Sequence, residues 1–221
     1  LGLDQARHFC YFLFKCFNGK PSVSCSDLHG SMRSLLWGSI LLLGLGGALS
    51  PRPGTAQPEP GAVVINEVLY APSPSTNEFI ELYNRSGGPI ALDELAFADA
   101  NRSYEPVART DTTVRDATHV VLVRDPKAFT AAFPGATFLT PDDWPVLNNG
   151  VDAIYLRHVP SDTPLDSVPY DPGWGGADGR SLERIDPDGP FAHDTDFASS
   201  EAASGATPGT ATRVHAPDET P

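Results

Sequence analysis

Between residues 63 and 185 apolar and polar positions change place with a period near two, in short runs broken by Pro, Gly and Asn. Residues 63–70 are rich in Val and Ile and stop before Pro72 and Pro74, which predicts a first strand. Residues 79–83 predict the second, with Ile80 and Leu82 on one face and Phe79, Glu81 and Tyr83 on the other. A turn of Asn, Ser, Gly and Pro at 84–89 leads into a predicted strand over 90–97. Residues 118–124 hold the most continuous apolar run, His119-Val120-Val121-Leu122-Val123, and predict a central buried strand. Further strands are predicted over 153–158, 165–170 and 181–185, the last two separated by the glycine-rich loop around Trp174. The period changes once. Asp125 can cap a helix, Pro126 suits its first position, and Phe129 and Phe133 lie four apart on one face, which predicts a short helix ending before Gly135. Six or seven short strands with turn signals between them make a β-sandwich.

Five blocks along these strands recur in a fixed order: Asn66-Glu67, Glu78-Phe79-Ile80-Glu81-Leu82-Tyr83-Asn84, Leu147-Asn148-Asn149-Gly150-Val151-Asp152, Ser181-Leu182-Glu183-Arg184 and Ala206-Thr207-Pro208-Gly209. Together they resemble the lamin tail domain, the module that ends nuclear lamins and also occurs in many bacterial secreted proteins. The resemblance implies an all-β, immunoglobulin-like sandwich over 62–210, here with one short helix. It also implies a role in attachment or scaffolding, sometimes beside hydrolase or nuclease domains. The chain departs from the family at Leu95-Ala96-Phe97, where members often carry tryptophan followed by a small polar residue. Leucine still suits a core position there.

The N-terminal part changes the picture of where such a domain works. The single methionine is Met32, followed by Arg33 and an uncharged apolar run over 35–49 interrupted by Gly44, Gly46 and Gly47. A run of about 15 residues is too short for a spanning helix, which needs about 20. We expect residues 32–56 to be a secretory signal peptide cleaved before Gln57, with cleavage after Ser50 as the alternative. Residues 1–31 then read as translated upstream sequence, or else as a genuine extension. Cys10, Cys16 and Cys25 all precede Met32, so an exported domain has no disulfide and no lipid-attachable cysteine. Residues 57–61 read as a linker and 211–221 as a disordered tail. The expected location is secreted, periplasmic or cell-surface, with membrane contact only through the cleaved signal peptide.

Charge narrows the partners. From Gln57 onward the chain carries 26 Asp and Glu against nine Arg and the single Lys127, a net charge of −16. Such a surface repels phosphate backbones, so nucleic acid is not the expected partner, although nuclear relatives are associated with it. A protein or a cell-surface polymer is.

Candidate chemistry is sparse. His119, His158, His193 and His215 do not lie three to five residues from another His or Cys, so zinc spacing is absent. Neither a nucleophile elbow nor a phosphate-binding loop occurs. Glu67, Glu78 and Glu81 could converge if the first two strands pair, as an acid and base or as ligands for a hard cation. The competing reading puts Glu81 at a strand surface and bonds Glu67 to a loop or to an arginine such as Arg184. Asp186, Asp188, Asp194 and Asp196 form the densest oxygen-ligand cluster. They are weak calcium candidates without the spacing of an EF-hand, and a solvated acidic loop is the competing reading. No cofactor is expected, with calcium as the alternative.

Trp174, in its glycine loop, and Trp144 are candidates for a ligand surface, as Tyr155 and Tyr170 are for a carbohydrate or peptide groove; core packing is the alternative for all four. Asn84-Arg85-Ser86 and Asn101-Arg102-Ser103 fit the glycosylation pattern but carry little weight in a bacterial-type chain. The expected function is a non-catalytic exported binding or assembly module. The competing readings are a small calcium-dependent hydrolase or nuclease using these carboxylates, and the non-catalytic part of a larger secreted enzyme.

Overall fold

Val and Ile on alternate positions of β1 (Val63–Leu69) and β2 (Phe79–Asn84) build the first antiparallel pair, in register from Val63 opposite Asn84 to Leu69 opposite Phe79. The computed structural model describes residues 57–189 and 193–211. The expected signal peptide, the segment before Met32 and the tail from 212 lie outside the described residues.

Among the described residues nine further strands follow the first pair, eight of them before the last. They are β3 (Ile90–Ala91), β4 (Leu95–Ala98), β5 (Glu105–Pro106), β6 (Thr113–Val114), β7 (Thr118–Val123), β8 (Asp152–His158), β9 (Thr163–Tyr170) and β10 (Leu182–Arg184). The last strand is β11 (Phe197–Ser199). One sheet runs β11-β10-β1-β2-β7, a second runs β5-β4-β8-β9, and β3 pairs with β6 alone. The main core lies between the two larger sheets. Ile65, Val68, Ile80, Leu82 and Leu182 come from the first and Leu95, Phe97, Ile154, Leu156 and Val168 from the second. Leu95, at the position where the family favours tryptophan, is fully buried.

A β-bulge between Ile65 and Glu67 decides what β1 shows to each side. Before it Val63 and Ile65 face the core, and after it Val68 and Tyr70 do. The parity change therefore turns Asn66 and Glu67 together to the outer face of the sheet. That outer face is not left to solvent. Helix α1 (Pro126–Ala132) is capped by the Asp125 carboxylate, which accepts from the backbone N–H groups of Lys127 and Ala128. It lays Phe129 onto Leu69, Phe79, Val121 and Val123, with Ala206 completing this second cluster.

Two expectations need correction. Residues 90–97 are not one strand, because a 3-10 turn at Leu92–Glu94 intervenes. Leu92 plugs the core there while the chain passes from the small β3-β6 sheet to the four-stranded one. Strand β7 is an edge strand rather than a central one. Its apolar run reflects cover on both faces, and its open edge is sealed by Leu139, which exchanges backbone hydrogen bonds with Val121 and Val123. The loop after β9 is held by close contact: Gly176 sits at φ +76°, and a Cβ there would lie 2.7 Å from both Tyr70 and Leu182. Tyr70 donates from its hydroxyl to the Gly175 carbonyl at 2.6 Å and stacks on Tyr170 at 4.4 Å.

Candidate functional site

The bulge in β1 has its largest chemical consequence on the outer face. Glu67 stands opposite Glu183 of β10 on one side and opposite Glu81 of β2 on the other. Three carboxyl groups thus form a row across three adjacent strands, each with 0% exposure. Like charges on directly opposite strand positions repel, and burial penalises their ionised forms further. Burial, reinforced by Glu81, pushes the Glu67 carboxyl up to about 8, and burial pushes Glu81 up to about 7.

The row is closed over by the segment after β11. Thr207 donates its backbone N–H to Glu67 at 2.8 Å, and its hydroxyl donates to Glu183 at 3.0 Å. The Gly209 N–H donates to Glu81. Asn66, turned outward by the same bulge, donates its amide N–H to Glu81 at 2.8 Å, and Ser181 donates its hydroxyl to Glu183 at 3.3 Å. His119 of β7 lies 3.8 Å from Glu81, its basicity lowered by burial. The Thr207-Pro208-Gly209 strap thus uses the carboxylate oxygens as its anchor points. All three side chains are closed off from solvent beneath it.

Next to the bulge, Ile65 pairs with Leu82 of β2 but has no register partner in β10, and an ion pair takes up its backbone groups. Asp166 of β9 accepts the Ile65 N–H at 2.8 Å, and Arg184 of β10 donates to the Ile65 carbonyl at 3.1 Å. Arg184 and Asp166 are themselves 2.8 Å apart, and Arg184 is 1% exposed. The pair ties the two sheets together at the bulge, with Phe197 under the guanidinium at 4.8 Å.

Beside this pair opens a cleft of about 680 Å³. Its most buried lining is Val64, Leu156, Leu165 and Arg184, and its sides carry Arg85, Arg102, Tyr104 and Tyr155. The Arg102 guanidinium lies over the Tyr155 ring at 3.9 Å, and Arg157 lies over Tyr104 at 4.2 Å. Arg85 donates to the carbonyls of Gly61, Pro187 and Gly189. Among the described residues no carboxylate forms a salt bridge with Arg85 or Arg102.

The residues singled out in the sequence fall elsewhere. Glu78 is separate from the acid row, bonded at 3.0 Å to Arg124 and at 2.8 Å to the Trp144 indole N–H. Trp144 is half-buried and packs edge-on against Phe97 in the core. Trp174 is half-buried too, stacked on Phe197 at 6.3 Å. Asp186 accepts from the Asp188 N–H, Asp194 from the Thr195 N–H and Asp196 from the His193 N–H, each closing its own turn. Among the described residues no group of three or more His, Cys, Asp or Glu side chains is placed to hold a metal ion, so the four aspartates are not assembled into one. Glu81 is not at a strand surface, and Glu67 bonds the Thr207 loop rather than Arg184. Asn84 is buried and holds its own turn by donating to the Gly88 and Val114 carbonyls, whereas Asn101 is exposed.

Glu183, Asp166, Arg85 and Arg102 had not been singled out for chemistry. Strand parity would have found Glu183, since the Ser181-Leu182-Glu183-Arg184 block puts it opposite in face to Leu182. Nothing local marks the other three.

The lamin tail domain model matches residues 56–172. The match ends before β10 and β11, although β10 sits between β1 and β11 in the first sheet and supplies Glu183. No curated protein matches the chain. With more than half of the sequence matched and the sandwich described above, the chain belongs to the lamin tail domain family, whose members are immunoglobulin-like, non-enzymatic domains.

Proposed function

We propose that this chain is an exported, non-catalytic binding or assembly module that works at or near a cell surface. The observation that carries the reading is the fate of the carboxylates. Glu67, Glu81 and Glu183, a row of acids on three adjacent strands, are engaged by Thr207 and Gly209 of the strap. The raised affinity of Glu67 and Glu81 for protons is a by-product of that burial. What remains accessible is surface for recognition, and the cleft beside Arg184 is a recessed part of it. Its volume lies in the range of small-ligand sites, roughly 300–1,000 Å³. The apolar run over 35–49 after Met32 and Arg33 supports export.

The test is expression of the full-length chain in a bacterial host, with fractionation, N-terminal sequencing and sedimentation with washed cell envelopes. The expected result is a protein beginning at Gln57, outside the cytoplasm, that sediments with envelopes. A protein kept in the cytoplasm with its first residues intact, or one that leaves envelopes unbound, overturns the reading.

A further inference from the structure

We propose that the cleft flanked by Arg85, Arg102 and Arg184 binds an acidic polysaccharide, a chain of sugar rings bearing carboxylates. The inference rests on the binding-module reading and names the ligand class of that site.

Charge distribution is the first argument. A domain with 26 acidic and 10 basic residues from Gln57 onward collects three of its arginines and His193 around one cleft. Asp166 is the one acidic side chain in the lining, and Arg184 already neutralises it. Arg85 and Arg102 add positive charge that no carboxylate salt bridge among the described residues offsets. Burial disfavours the charge of Arg184, Asp166 opposes that, and neighbouring Arg85 adds repulsion. An anion entering the cleft relieves that repulsion.

The second argument is shape. Arg102 is exposed and adopts φ +59°, a backbone region that costs a non-glycine residue about 1 kcal/mol or more. This backbone accompanies a guanidinium placed over the Tyr155 ring at 3.9 Å. A stacked guanidinium keeps its N–H edge free for bidentate contact with a carboxylate, which lysine cannot reproduce. Buried Val64, Leu156 and Leu165 supply an apolar floor for the body of a ring.

The third argument sets a polysaccharide above an acidic peptide. An extended peptide would be expected to add to the outer strand β9, but there the Leu165 carbonyl already accepts from the Gly61 N–H, and the strand carries Pro164 and Pro169, both of which line the cleft. Proline has no N–H to donate, so strand addition is blocked where the arginines are. Recognition must come from side chains and flat surfaces, which suits charged rings.

The test is titration calorimetry of the full chain with oligogalacturonate, a neutral maltooligosaccharide and a poly-glutamate peptide. We expect saturable binding of oligogalacturonate alone, weakened about tenfold or more by Arg102→Ala and less by Arg102→Lys, and weakened by 0.5 M NaCl (about 4 Å screening). Arg115→Ala, an exposed arginine outside the cleft, should leave binding unchanged. Because the salt and competitor arms need no variant, the outcome does not depend on how the mutants fold. Absence of oligogalacturonate binding, equal affinity in Arg102→Ala, or a tighter grip on poly-glutamate overturns the proposal. A protein that sediments with envelopes yet ignores oligogalacturonate loses only the ligand class; one that binds oligogalacturonate but no envelope loses the module reading instead.

Discussion

Two residues carry the consequences of the bulge in β1, and each can be tested alone. Arg184 is a buried cation held by Asp166 and by the Ile65 carbonyl. Removing one member of a buried pair strands the other, at a typical cost of about 3–5 kcal/mol. Arg184→Met should lower the urea-derived stability by that amount, and Arg184→Met with Asp166→Leu should recover part of it. A single-mutant loss under about 1 kcal/mol would remove the pair from what holds the sheets together. Glu67 is the opposite case, a group kept protonated by its surroundings. Its folded-state affinity, about 8 against an ordinary 4.5, means the folded protein holds a proton that the unfolded chain releases. The associated stability is therefore complete below about pH 4.5 and is lost as pH rises through about 8, with Glu81 following the same sign up to about 7. Glu67→Gln keeps the acceptor for Thr207 and removes the titration. It should be nearly neutral at pH 4.5 and more stable than the parent at pH 8, by on the order of 1–3 kcal/mol. Parallel pH profiles for the two proteins would refute the account.

At the scale of elements, the strap is the piece whose role was least apparent from sequence. Thr207-Pro208-Gly209 reads as a chain exit, yet it lies 140 residues from Glu67 and supplies that carboxyl's hydrogen bond. Truncation before Thr207 leaves the acid row without the Thr207 and Gly209 donors and should cost roughly 3 kcal/mol or more, from two or three hydrogen bonds to buried acceptors. It should also flatten the pH profile between 5 and 8, since hydrated carboxylates regain ordinary affinities. Calorimetric melting of the truncated chain across that range checks both, and an unchanged melting temperature would show that the strap merely covers. The remaining elements differ in how legible they were. Helix α1 announced itself because Asp125, Pro126, Phe129 and Phe133 act locally. Strands β5 and β6, two residues each, have too little sequence to show a period. Strand β7 was mistaken for a central strand because apolarity on both faces reports what lies above and below a strand, not what lies beside it. The acid row was half visible: Glu67 and Glu81 could be paired from neighbouring strands, but Glu183 arrives through a β1-β10 pairing that no local pattern encodes. The cleft was invisible, because Arg85, Arg102 and Arg184 are far apart along the chain.

For the molecule as a whole, the question is what a domain without disulfides sets against a net charge of −16 beyond Gln57. Its answer is a largely apolar interior between two sheets, crossed by the Arg184–Asp166 pair, and a second apolar cluster beneath α1, with burial favouring the protonated forms of Glu67 and Glu81. Reducing agent should accordingly leave the melting temperature unchanged. Salt should not. The excess carboxylates repel one another more in the compact state than in the expanded chain. Raising NaCl from 0.1 to 1 M shortens the screening length from about 10 to about 3 Å, so it weakens that repulsion across the surface. The same salt weakens exposed ion pairs such as Arg157–Asp162, but each of those contributes only about 0–1 kcal/mol. Repulsion summed over 26 acidic residues should outweigh them, and the melting temperature should rise by several degrees across the titration. Potassium chloride should match sodium chloride, because screening does not depend on the cation, whereas a step at low calcium concentration would point instead to a specific site. A fall in melting temperature with NaCl would mean that local pairing, not global repulsion, governs this surface.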